Sequence, residues 1–138
     1  MVRREGAPPA AVLMTLCGIA CSTSTYSPCP IEVDGALPAD AFLRCKEILQ
    51  SRFGAFAVVD ENAFLLQTAW LATADPPGEQ RAAVFRDASP RDPEGLAIVV
   101  EVRRLAEPMI GLPTWTAARG DPAAERELAE LLRRGLMR

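Results

Sequence analysis

The chain has no histidine, a single lysine (Lys46) and a single tyrosine, and aromatic side chains make up only 6% of its 138 residues. Without imidazole there is no Ser-His-Asp or Cys-His catalysis, none of the usual zinc sites and no histidine proton shuttle, which together cover most of the chemistry a small domain performs unaided. No Gly-rich phosphate loop, metal-ligand cluster or nucleophile elbow is present either. We therefore expect no enzyme, no cofactor and no metal. Charge of one sign is also lacking: the formal net charge is -3, so bulk charge does not draw the chain to nucleic acid or to an anionic membrane surface. The length supports one compact domain.

What is present begins at the N-terminus. Arg3 and Arg4 precede Ala10 to Ala20, an uncharged and mostly apolar run of eleven residues. Secretory signal cores run to ~7–15 residues and a membrane-spanning helix needs ~20, so residues 1–20 read as a signal peptide. Arg3-Arg4 does not continue into a twin-arginine pattern, which leaves the general secretion route. Gly18-Ile19-Ala20-Cys21, followed by the polar stretch Ser22 to Ser27, resembles the lipobox of bacterial lipoproteins, although Gly18 stands where that family usually has leucine. The resemblance implies cleavage between Ala20 and Cys21, a diacylglyceryl group on the Cys21 sulfur, and an acyl chain of the palmitate kind on the new amino terminus. Two or more chains anchor stably and one only marginally, since each buried methylene adds ~0.8 kcal/mol. In the family's enteric sorting rule a serine after the cysteine, here Ser22, allows export. The expected address is thus the periplasmic face of the outer membrane, with the periplasm as the alternative.

Four cysteines stand at 17, 21, 29 and 45. Removal of Cys17 with the signal and lipidation of Cys21 would leave two thiols in an oxidising compartment. Either Cys29 and Cys45 form a disulfide, for which a loop of this size gives ~3 kcal/mol, or Cys45 is a small buried hydrophobe and Cys29 is incidental.

Residues 21–29 read as a short tether and residues 30–138 as the single domain. Pro30 to Val33 is a brief expected strand closed by Asp34-Gly35. Leu37-Pro38 opens a helix that Gly54 ends, with Phe42, Cys45, Ile48, Leu49 and Phe53 on its apolar stripe. Phe56 to Asp60 and Phe64 to Ala72 form a hairpin; in the second run Phe64, Leu66, Thr68 and Trp70 share one face. Asp75 to Gly78 is an expected turn, Arg81 to Asp87 a third strand, and Leu96 to Leu105 the clearest strand, with Leu96, Ile98, Val100 and Val102 on one face. Asp121-Pro122 starts a final helix with Ala124, Leu128, Leu131, Leu132 and Leu136 on its buried stripe, and Glu125, Glu127 and Glu130 preceding Arg133 and Arg134 as the helix dipole prefers. The predicted fold is α+β: a small, mostly antiparallel sheet of four to five strands packed by two amphipathic helices, in the order strand, helix, strands, helix.

This layout, with the strand Gln67-Thr68-Ala69-Trp70, is similar to the small α+β envelope lipoproteins that accompany outer-membrane assembly machines. The similarity implies a non-catalytic accessory or adaptor subunit that binds a periplasmic or outer-membrane partner. The alternative is a soluble secreted domain that binds a small ligand or peptide beside the sheet. Asp60 and Glu61 are adjacent carboxylates of a turn and point apart, so they do not form a shared-proton pair. Trp70 is expected in the core. The segment carrying Met109, Ile110, Leu112 and Trp115 belongs either to the core or to a partner surface. Arg81, Arg86, Arg103 and Arg104 form either a basic strip or a solvated sheet face with partners such as Glu101.

Overall fold

A computed structural model describes residues 27–74 and 77–138. Cys17, Ala20, Cys21, Asp75 and Pro76 lie outside the described residues. The elements follow in the order β1 (Cys29–Ile31), α1 (Ala41–Phe53), β2 (Phe56–Asp60), β3 (Leu65–Thr68), β4 (Leu71–Ala74), β5 (Pro77–Arg86), β6 (Leu96–Arg103), β7 (Leu105–Ala106), β8 (Thr114–Trp115), β9 (Arg119–Gly120) and α2 (Pro122–Leu136). The fold is α+β, and every described strand pairing is antiparallel.

The main sheet is larger than the predicted four to five strands. Its order is β1-β6-β5-β3-β2, with β4 beside β5 and β9 beside β6, which makes seven strands. Two strands are thus continued by a second strand along the same neighbour: β3 gives way to β4 along β5, and β1 gives way to β9 along β6. Each change of strand leaves a backbone group without its ladder partner, and a buried side chain takes it up. Thr68 Oγ1 accepts from the Ala82 N–H at 2.9 Å, and Glu125 Oε2 accepts from the Val100 N–H at 3.0 Å. The Val100 carbonyl is met by the Asp121 N–H at 2.8 Å. Thr68 and Glu125 are the buried polar side chains of the described residues, and each is hydrogen-bonded, as the cost of burying an unpaired polar group requires.

Both helices lie on one face of this sheet. Ile98 and Val100 of β6, Ala82 and Val84 of β5 and Leu66 of β3 meet Cys45 and Leu49 of α1 and Leu128, Leu132 and Leu136 of α2 in one core. Each fully buried aliphatic side chain here contributes ~1.5–3 kcal/mol over exposure. The helices also touch each other: Arg44 donates to the carbonyls of Gly135 and Leu136, and Gly135 leaves room for Ile48, whose Cδ1 a Cβ at that position would overlap.

Several expectations need correction. The first strand is Cys29–Ile31, not Pro30 to Val33, and α1 starts at Ala41, because Pro38 closes a turn by accepting from the Ala41 N–H. Phe64 to Ala72 is broken at Ala69 and Trp70, so the alternation restarts there. Pro77 and Gly78 belong to β5 and not to the turn before it. Glu125, read in the sequence only as one of the acidic residues that suit the helix dipole, is 2% exposed. Cys29 and Cys45, for which a bridge and separate roles were both open, are free thiols in this structure. Burial pushes the Cys45 thiol up to about 12, and burial also raises that of Cys29.

Candidate functional site

Beyond Arg103 the chain leaves the main sheet and builds a small hairpin of its own. Leu105 pairs with Trp115 and Ala106 with Thr114. At its base the Thr116 N–H donates to the Arg104 carbonyl at 2.8 Å, and the Arg104 N–H donates to Thr116 Oγ1 at 2.9 Å. Between the strands Pro108 and Pro113 remove ladder donors, and Gly111, at φ 107°, adopts a backbone conformation that side-chain-bearing residues rarely reach. The loop therefore stands off the body. Met109 is 104% exposed, Ile110 92% and Leu112 83%, whereas Trp115, nearer the base, is 43% exposed. With Leu105, 45% exposed, five large apolar side chains stand on this one projection.

Next to the hairpin lies a polar, aromatic surface on the sheet face opposite the helices. Antiparallel register sets Glu79 opposite Arg103 and Arg81 opposite Glu101. Arg103 reaches Glu79 at 2.7 Å and Arg81 reaches Glu101 at 3.3 Å. Both guanidiniums also lie over the Trp70 ring, at 4.3 Å for Arg81 and 4.1 Å for Arg103, and Arg103 lies 4.5 Å from the Trp115 ring centre. Such contacts orient a guanidinium and hold it close to an aromatic face. Trp70 is half-buried here and not in the core beneath the helices, because the interruption at Ala69 and Trp70 releases it from the alternation of Phe64, Leu66 and Thr68. Arg81 and Arg103 are thus paired charges on a sheet face. Arg86 stands apart from them, 5.8 Å from the Phe64 ring centre.

The remaining sequence features have structural partners. Asp60 Oδ1 accepts from the Ala63 N–H at 3.1 Å and shapes the β2–β3 loop, and the Ser51 hydroxyl donates to the Ile48 carbonyl at 2.7 Å. Among the described residues no group of three or more His, Cys, Asp or Glu side chains is placed to hold a metal ion, and no helix is long and apolar enough to cross a membrane. A cleft of about 330 Å³ lies between the residues after β1 and the start of β6, lined by Ile31, Val33, Leu37 and Leu96 together with Asp92 and Glu94. It lies at the end of the sheet away from the hairpin.

Sequence reasoning found the hairpin side chains but missed two things. Glu101 was expected as a sheet-face partner of the arginines, but that it meets Arg81, and the Arg103–Glu79 rung altogether, depend on the β5–β6 register, which only the long pairing of Glu79–Arg86 with Leu96–Arg103 reveals. Glu125 did carry a signal: it precedes Leu128, Leu132 and Leu136 at spacings of three, four and four, on the same helical stripe. Compared with protein-family models, with curated proteins and with solved structures, the chain matches none of them.

Proposed function

We propose that this chain is a non-catalytic, lipid-anchored protein of the bacterial envelope, acylated on Cys21 and held at the periplasmic face of the outer membrane, where it serves as an accessory or adaptor subunit by contact. The observation that carries the reading is the projecting hairpin, on which Met109, Ile110 and Leu112 are almost wholly exposed. An exposed apolar grouping of this size marks contact, with a partner or with the bilayer that the anchor reaches. The lipobox-like Gly18 to Cys21 supplies the attachment. Asp60, Glu79, Arg81, Glu101, Arg103 and Glu125 are each engaged in an ion pair, a turn or a strand junction.

A second reading, a soluble periplasmic protein with a ligand beside the sheet, is favoured by the cleft at Ile31, Val33 and Leu37, whose volume falls near the lower end of ligand pockets. Intact mass and palmitate labelling of the chain recovered from bacterial membranes separate the two. The proposal expects a chain beginning at Cys21 with acyl mass added and label lost in Cys21→Ala. An unmodified chain in the soluble periplasmic fraction overturns it in favour of the second reading, and retention of Met1 in the cytosol overturns both.

A further inference from the structure

We infer that the hairpin tip, residues 108–113, is a wedge that enters the lipid leaflet carrying the anchor, and this rests on the lipid-anchored reading. The argument begins with strand direction. Cys29 pairs with Ile98 and Ile31 with Leu96, so going back from Cys29 toward Ser27 the chain runs the way β6 runs forward to Arg103. Ser27 and the hairpin therefore leave the sheet at the same end. Six residue steps lead from Ser27 to Cys21, and at ~3.6 Å each they span at most ~22 Å. A lipid on Cys21 keeps that end of the domain, and with it the tip, next to the bilayer.

The side chains are graded as a membrane interface is graded. Pro108 to Pro113 carry no charge, and Glu107 is the single ionisable residue between Arg104 and Arg119. Behind the apolar tip comes Trp115, a residue type favoured at the headgroup level. Behind that come Arg104 and Arg119, which line one shallow cleft with Arg103 and Thr116. Among the described residues neither Arg104 nor Arg119 has a carboxylate within ion-pair distance. Apolar insertion backed by unpaired arginines matches a leaflet with anionic headgroups. A protein interface of standard kind instead presents an apolar centre ringed by a polar rim.

The test uses the full acylated chain with Ile110→Trp, reconstituted into vesicles of phosphatidylethanolamine and phosphatidylglycerol with brominated acyl chains, with the wild-type emission of Trp70 and Trp115 subtracted. Leu43→Trp, exposed near the start of α1, is the comparison variant. For Ile110→Trp the expected result is a blue shift and loss of roughly half the emission of the introduced indole, since interfacial wedges bury ~5–10 Å deep, with no change for Leu43→Trp. Unquenched emission from Ile110→Trp overturns the inference. A blue shift in native membranes without one in pure lipid vesicles also overturns it, because a protein then covers the tip. If intact mass finds no acyl group, the anchor reading fails separately. The same chain is then floated with the vesicles, and flotation that falls about tenfold in Ile110→Glu upholds the wedge, whereas no flotation overturns it.

Discussion

Glu125 and Thr68 show how much a single oxygen can matter in a sheet assembled from short strands. Glu125→Leu leaves the Val100 N–H buried without an acceptor, and a loss of ~1–3 kcal/mol is expected in urea unfolding. Glu125→Gln keeps an acceptor in place and should cost less, and Thr68→Val should repeat the Leu result at Ala82. Cys45 invites a chemical check. Its thiol is 0% exposed and pushed up to about 12 by burial, so native protein treated with iodoacetamide should be modified at Cys29 but not at Cys45 until it unfolds, as peptide mass mapping will read. The stability that the protonated Cys45 contributes is complete below the ordinary thiol value of 9.0 and is lost as pH rises from there toward 12. The inward face of Cys45 was legible from helical spacing. The burial of Glu125 was on the same wheel, but a carboxyl group argues for water, and its hydrogen bond from the Val100 N–H is visible only in the fold.

At the scale of elements, β5 and β6 form the longest pairing, and Gly78 lies where the Arg103 carbonyl comes too close for any Cβ. The obstacle is backbone, so it cannot step aside as a flexible side chain would. Gly78→Val is expected to lower stability by ~1–3 kcal/mol and to loosen the Glu79–Arg103 rung, which a lowered melting temperature and altered tryptophan fluorescence will show. On α2, hydrogen bonds from Arg133 and then Arg134 hold the Glu130 carboxyl well below its ordinary 4.5, to about 2. A depressed carboxylate value means support that is present above 4.5 and is lost as pH falls from 4.5 to 2, so Glu130→Gln should flatten the acid limb of the stability profile in that window. Element boundaries were legible where a cap or a stop is strong: Asp121 accepts from the Ala124 N–H at the start of α2, and β2 runs over Phe56–Asp60 as its β-rich composition predicts. They were not legible at Ala69 and Trp70. Nothing in the run from Phe64 to Ala72 announces that Thr68 will turn its hydroxyl to Ala82 and end one strand there.

For the whole molecule, the α+β class and the antiparallel sheet with its two helices could be read from periodicity, because both helices and the central strands each have one clearly apolar face. The number of strands could not, since β4, β7, β8 and β9 are two to four residues long, too short for alternation to mark them, and β9 takes its place from β6, a neighbour distant in sequence. The hairpin side chains were visible as apolar residues between prolines, yet only the fold separates a surface from a core. Because Met109, Ile110 and Leu112 support no packing, Ile110→Ser together with Leu112→Ser should leave chemical denaturation within ~0.5 kcal/mol of wild type. The direction of β1 has a mechanical side. A pull on the chain ahead of Ser27, away from that end of the sheet, acts parallel to β1 and β6, so the Cys29–Ile31 pairing is loaded in shear. Its rungs must then yield together, whereas the same force applied across the sheet would open them one after another.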